Sequence, residues 1–135
     1  MKKLITLGFL VVAVLSFISC SPSSPGKALK GYLNDIKNEN YDSFMEGVYF
    51  HEGMDKQRKE KKRTQLLAII KDKVTREYER KGGVKSIEII SERVWEDGEN
   101  ATVEFKQTYG NGEEIIEKQK MVKKDGKWLI DLYSK

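Results

Sequence analysis

The pattern of hydrophobic and polar residues changes twice along the chain. Residues Leu4–Ile18 form a nearly unbroken apolar run behind the positive start Met1-Lys2-Lys3. From Lys27 onward apolar residues recur at helical spacing, and from Val84 onward they alternate with polar residues. Helical spacing indicates amphipathic helices, and strict alternation indicates half-buried strands. Helices followed by strands predict an α+β domain behind the apolar leader.

Three helices are predicted before the strands. The first carries an apolar stripe within Ala28–Ile36, and the second, shorter helix carries one within Tyr41–Val48. The third is predicted from about Asp55 to Lys81, with Leu66, Leu67, Ile70, Val74 and Tyr78 on its apolar side. Gly82-Gly83 follows it and supplies the left-handed residues that commonly end a helix.

Four strands joined by three hairpin turns are predicted after the helices. The turns are Asp97-Gly98, Gly110-Asn111-Gly112 and Asp125-Gly126, since glycine and asparagine accept a positive φ at little cost. The third strand, within residues 114–123, does not alternate cleanly, which predicts either a bulge or an edge position. The expected architecture is three helices packed on a curved four-stranded antiparallel sheet.

The apolar leader has the features of a bacterial lipoprotein signal. It is shorter than the roughly 20 residues that a membrane-spanning helix needs, and it ends in Phe17-Ile18-Ser19-Cys20, which resembles a lipobox. In such signals the cysteine thiol, the nucleophile of the lipid transfer, is alkylated and the peptide bond before it is cut. We predict a signal peptide over residues 1–19, a lipidated Cys20 with a Ser/Pro tether over residues 20–26, and one domain over residues 27–135.

The leader also predicts where the protein resides and which partners it lacks. Acyl chains on Cys20 would anchor the protein to membrane lipid. No acidic residue closely follows Cys20, which favours the outer membrane with the domain facing the periplasm. The formal charge of +4 falls to +2 when Lys2 and Lys3 leave with the signal peptide. So small a charge gives no support for nucleic acid as a partner.

Four segments of the chain resemble a known family. They are LKGYLNDIKNENYDSFMEGVYF, KGGVKSIEII, ATVEFKQTYGNG and MVKKDGKWLIDL. They look like small bacterial envelope lipoproteins known as domain-of-unknown-function family 4878, whose fold is of the nuclear transport factor 2-like, or cystatin-like, type. The resemblance covers nearly all of the chain after Cys20. It implies a cone formed by helices and a bent sheet, with a pocket at its mouth, but it implies no reaction.

Aromatic residues are the candidates for the pocket lining. They either fill the core or surround a mostly apolar ligand cleft, and spacing alone does not separate the two. Gln107 shares the strand phase of Phe105 and is the best polar candidate to point inward, while the sole histidine, His51, is placed at the rim. The candidate ligand-binding residues are Tyr32, Tyr49, Phe50, His51, Phe105, Gln107, Tyr109 and Trp128.

Catalysis is the alternative to simple binding. Some relatives of the wider fold catalyse isomerisation or dehydration with a carboxylate in an apolar site, and Asp35, Asp42 and Asp131 are acidic residues near aromatics. Each of them reads equally well as a cap or a surface group, and no nucleophile with an adjacent base is recognisable. With one histidine and with Cys20 committed to lipid, no zinc site of histidine or thiolate ligands is expected, and neither is a cofactor.

The densest basic run, Lys56–Arg63, is predicted to distribute its charges around much of a helix. It is either a solvated face or a contact for anionic lipid headgroups or envelope polysaccharide. We therefore expect a non-catalytic envelope lipoprotein that binds a small apolar ligand or serves as an accessory module. The alternatives are an enzyme of the isomerase or dehydratase type and a module that docks another envelope protein on the exposed sheet face.

Overall fold

Helices precede strands in the computed structural model, which describes residues 24–50 and 53–132. The helical elements are α1 (Pro25–Lys37), α2 (Tyr41–Glu46), α3 (Lys56–Ile69), a π-helical turn (Ile70–Val74) and α4 (Thr75–Arg80). The strands are β1 (Val84–Val94), β2 (Asn100–Tyr109), β3 (Glu114–Lys124) and β4 (Lys127–Ile130). The predicted α+β class is confirmed. Within these residues, no helix combines the length and the apolar character needed to span a bilayer.

The third predicted helix is continuous but contains a wider turn. α3, the π-helical turn and α4 follow one another without a break. At the end of the π-helical turn, the Thr75 hydroxyl donates to the Ile70 carbonyl at 3.0 Å and meets the Tyr41 hydroxyl at 2.7 Å. Across this turn the predicted apolar stripe is kept, since Val74 and Tyr78 pack against the core together with Leu66 and Leu67 of α3.

The start of α1 corrects the predicted tether. Pro25 and Gly26 were assigned to a solvated segment, but both are buried in the first turn of α1. The Ser24 hydroxyl caps this turn by accepting from the Lys27 amide at 3.3 Å. A proline fits the first helical position because its fixed φ is helical and its missing N–H has no partner there. The signal peptide and Cys20 lie outside the described residues.

The strands form an antiparallel meander in the order β1-β2-β3-β4, as predicted. Buried side chains occupy every second position of β2, from Ala101 to Tyr109. Of the two explanations predicted for β3, the bulge does not occur, since the pairing of β3 with β2 is regular and the register shifts lie between β1 and β2. The edge explanation holds for the first half of β3, because β4 is short and pairs only with Met121–Lys124.

The core lies between the helices and the inward face of this sheet. Ala101 and Val103 of β2 and Met121 of β3 are fully buried there against Leu29 of α1 and Met45 of α2. The Tyr32 hydroxyl donates to the Trp128 carbonyl at 2.7 Å and ties α1 to β4. The tight packing of Tyr32 against Gly47 is part of this contact, since a Cβ at Gly47 would lie 2.3 Å from the Tyr32 ring.

We expect Gly47→Ala to destabilise the fold by about 1–3 kcal/mol, because the added methyl group displaces the Tyr32 ring from its packing and its hydrogen bond. Gly31→Ala is the matched control, since a Cβ at Gly31 has no neighbour within 4 Å. In the interior of α1 this change should stabilise by up to about 1 kcal/mol. Urea unfolding measures both, and equal stabilities for the two variants would contradict the packing argument.

Candidate functional site

A cavity of about 440 Å³ lies between the helices and the sheet, at the end where β2 passes into β3. Most of its wall is apolar, and its polar groups are an amide, two phenols and a charged rim. The lining residues are Leu33, Lys73, Val74, Glu77, Tyr78, Phe105, Gln107, Tyr109, Ile115 and Glu117. An apolar cavity with a few converging polar groups is the usual make-up of a small-ligand site.

Local sequence features bring the walls of this cavity together. The alternation of β2 turns Phe105, Gln107 and Tyr109 inward. Gly82 and Gly83 have φ values of 87° and 82° and end α4, and the Gly83 carbonyl accepts from the Gly110 amide at 2.8 Å. Glycine is required at position 110, since a Cβ there would lie 2.2 Å from the Gly82 carbonyl oxygen. This close approach holds the end of α4, and with it Tyr78, over the end of β2.

Gln107 is the buried polar residue of the cavity. Only 3% of its surface is exposed, and its Nε2 donates to the Tyr109 hydroxyl at 3.0 Å. Its Oε1 is buried and has no hydrogen-bond partner among the described residues. In the opposite orientation of the amide, the NH₂ group would be the end that lacks a partner there. Leaving such a group unsatisfied costs about 1–3 kcal/mol of stability.

The phenol of Tyr78 forms the opposite wall. Burial raises the pKa of Tyr78 above its ordinary value of 10.0, and the nearby Gln107 side chain partly offsets this increase. The Tyr78 and Tyr109 rings lie 5.9 Å apart between their centroids, tilted by 56°. The Lys81 ammonium group lies 4.7 Å from the Tyr109 ring centroid on the outer side. The cavity therefore presents phenols and an amide rather than a buried charge.

Charged residues stand only at the rim of the cavity. The hydrogen bond from Arg80 holds the pKa of Glu77 below its ordinary value, and Lys81 lies 3.3 Å from the same carboxylate. A carboxylate with a lowered pKa is a weak proton acceptor and is therefore poorly suited to act as a general base. Among residues 24–50 and 53–132, no three histidine, cysteine or acidic residues are grouped so that they could hold a metal ion.

The structure separates the sequence-predicted site residues into three groups. Phe105, Gln107 and Tyr109 line the cavity, while Tyr49 and Phe50 line a different cleft at the start of α3. Tyr32 and Trp128 line neither and are joined by the hydrogen bond between α1 and β4. His51 and the lipidation candidate Cys20 lie outside the described residues. The acidic candidates Asp35, Asp42 and Asp131 are not in the cavity lining.

Sequence reasoning missed Tyr78 and Glu77 as cavity residues. Tyr78 belongs to the apolar stripe of the third helix, so its spacing predicted a core position. The glycines at 82, 83 and 110 were available as a signal, because together they indicate a close approach of two backbones. Their pairing across the fold, however, is a tertiary feature.

Comparisons with known proteins agree with this architecture. The family model DUF4878, a domain of unknown function, matches residues 18–131, and the chain therefore belongs to this family. A crystal structure from Campylobacter jejuni, of a protein provisionally named an NTF2-like transpeptidase, is similar with a TM-score of 0.70. The sequences are 22% identical, and the similarity covers 82% of this chain and 99% of the other. The NTF2-like fold is thereby confirmed. No curated protein matches the chain.

The partly buried phenol of Tyr78 predicts a dependence of stability on alkaline pH. Because its pKa is raised in the folded state, the folded chain holds the phenolic proton more tightly than the unfolded chain does. This contribution is fully present below about pH 10 and is lost as the pH rises through the pKa of folded Tyr78.

We therefore expect the free energy of unfolding to fall more steeply above about pH 10 in the native protein than in Tyr78→Phe. Urea unfolding of both proteins at neutral and at alkaline pH measures the effect. The neutral series gives the packing cost of the substitution, which is subtracted from the alkaline difference. A stability difference that stays constant across this range would contradict the burial of the phenol.

Proposed function

From its membership in the DUF4878 family and the geometry of its cavity, we propose that the chain is a lipid-anchored protein of the bacterial cell envelope. Its domain binds a small, largely apolar molecule carrying one hydrogen-bonding group. The observation that carries the binding role is the buried Gln107 amide, which faces the cavity with one end lacking a partner among the described residues.

The chemistry of the cavity defines the class of ligand. Its walls of Leu33, Val74, Phe105 and Ile115 favour an apolar body. A donor on the ligand would satisfy Gln107 Oε1, and the phenols of Tyr78 and Tyr109 can donate or accept beside it. A volume of about 440 Å³ suits a small organic molecule. Binding would recover the free energy that the unsatisfied amide costs the empty domain.

A binding role is favoured over catalysis by the content of the same cavity. The described residues of its lining include no cysteine, serine or histidine side chain to act as a nucleophile or proton shuttle. Glu77 is engaged by Arg80 and Lys81 at the rim. The transpeptidase name of the Campylobacter jejuni protein is not carried over, because 22% identity supports the fold and not a shared reaction.

The anchor is supported by the sequence before the domain. Cys20 follows Phe17-Ile18-Ser19 in a pattern that resembles a lipobox, and α1 begins at Pro25, a few residues later. Two or three acyl chains bind a bilayer stably, whereas one chain binds it only marginally. We place the protein in the outer membrane with its domain facing the periplasm, because no acidic residue closely follows Cys20.

We expect Gln107→Met to abolish ligand binding while leaving the free energy of unfolding within about 1 kcal/mol of the native value, or raising it. The thioether fills a similar volume and removes the unsatisfied amide. Native mass spectrometry of full-length protein purified from its own cells would detect a co-purifying molecule, and urea unfolding would measure stability.

Thr108→Val is the matched control, because Thr108 lies on the same strand with its side chain on the outward face. It should retain the bound molecule. The binding role is contradicted if the native protein carries no added mass, or if Gln107→Met retains the same mass in full.

For the anchor, we expect Cys20→Ser to abolish fatty-acid labelling in bacteria and to leave uncleaved precursor, because no other thiol is present in the chain. Metabolic labelling and intact-mass analysis measure both outcomes. The double variant Cys20→Ser with Ser23→Cys keeps one thiol but moves it away from the lipobox. Labelling of that control, or an unmodified thiol at Cys20 in the native protein, would be evidence against the anchor.

A further inference from the structure

A second cleft lies between the start of α3 and the turn that joins β3 to β4. Its volume is about 510 Å³. We call it the basic cleft because four cationic side chains line it: Lys56, Lys59, Arg63 and Lys124. Its remaining lining comprises the carboxylates Glu60 and Asp125 and the side chains of Val48, Tyr49, Phe50 and Leu129.

Tertiary packing gathers these cations from two parts of the chain. Lys56, Lys59 and Arg63 follow one another at helical spacing and share one side of α3. Lys124 reaches the same cleft from β3, and its ammonium group lies 5.4 Å from the Tyr49 ring centroid. The sequence predicted basic charges distributed around the helix, and Arg58 and Lys61 do lie outside the cleft lining. Among the described residues of the lining, four cations stand beside two carboxylates, so these residues carry a net positive charge.

The floor of the basic cleft is apolar, and its backbone is paired with β4. Val48 and Phe50 are buried, and Val48 forms a β-bridge with Ile130 of β4. The Arg63 guanidinium donates to the Met45 carbonyl at 3.5 Å, which holds this cation toward the end of α2. The cleft thus pairs a cationic rim with an apolar floor.

We infer that the basic cleft binds the phosphate group of a phosphoester. Lysine and arginine form strong charge-assisted hydrogen bonds with phosphate oxygens, and arginine can do so with two N–H groups at once. The aromatic and aliphatic floor formed by Tyr49, Phe50 and Leu129 accommodates the carbon part of the ester.

The position of the cleft favours a lipid headgroup as the source of the phosphate. The Gly26 amide in the first turn of α1 donates to Glu92 near the end of β1, at 3.5 Å. The end of β3 joins the same end of the sheet, since the Lys123 amide donates to the Glu99 carbonyl at 2.8 Å. The described chain therefore begins at the end of the sheet that carries Lys124. This choice of source rests on the proposed anchor at Cys20, whereas the phosphate site itself does not.

Calorimetric titration tests the site with the full-length chain purified in a nonionic detergent. The probes are inorganic phosphate, dihexanoylphosphatidylglycerol and, as a zwitterionic lipid with the same acyl chains, dihexanoylphosphatidylcholine. We expect the anionic lipid to bind more tightly than the zwitterionic lipid. Lys56→Gln with Lys59→Gln should weaken this binding about tenfold or more, since two charge-assisted contacts are lost.

Lys30→Gln with Lys61→Gln removes the same charge from exposed positions outside the cleft and should leave binding unchanged. Equal loss in both double variants, or no binding of either anionic probe, would overturn the site. Binding of inorganic phosphate alone, with the same dependence on Lys56 and Lys59, would support the site and assign it to a free phosphate. Loss of the anchor in the labelling experiment would not affect this titration, so the two proposals fail separately.

Discussion

The inward face of β2 is the constraint on which the rest of the structure depends. Every second side chain of this strand is buried against the helices, and Ala101 and Val103 have no exposed surface. At one end this face forms the core with α1 and α2, and at the other it forms the wall of the cavity. A strand that must bury one face completely allows no slip in register, because a shift of one residue would expose the whole set. The cavity is therefore as rigidly placed as the core.

Gln107 is a buried polar residue on that face, and the burial of its unsatisfied amide lowers the stability of the domain. An apolar residue at this position would continue the core at no penalty, whereas the amide is buried with one end lacking a partner among the described residues. Local departures from optimal packing of this kind are found at functional sites. The phenols of Tyr78 and Tyr109 line the cavity with this amide, which suits recognition by hydrogen bonds rather than by charge.

The apolar cavity and the basic cleft lie at opposite ends of the sheet. The cavity lies where β2 passes into β3 and has a mostly apolar wall, while the basic cleft lies where β3 passes into β4. The described chain starts at the basic end, next to Glu92. In the proposed arrangement, the basic end faces the membrane and the cavity is directed away from it. A short link between Cys20 and α1 would keep this orientation, because Pro25 is already part of the helix.

The sequence by itself determined the order and the type of the elements, because hydrophobic periodicity and turn residues are local properties. The helices, the hairpin glycines and the inward phase of Gln107 all followed from neighbours within a few residues. Only the tertiary structure decided that Tyr78, which packs against the core, also lines the cavity beside Gln107, and that Tyr49 and Phe50 line another cleft than Phe105. It also decided that Lys124 joins the cations of α3. The position of Tyr78 over the end of β2 depends on the approach of Gly110 to Gly82, two residues far apart in the chain. Contacts of that range are set by how whole elements pack, and no local pattern encodes them.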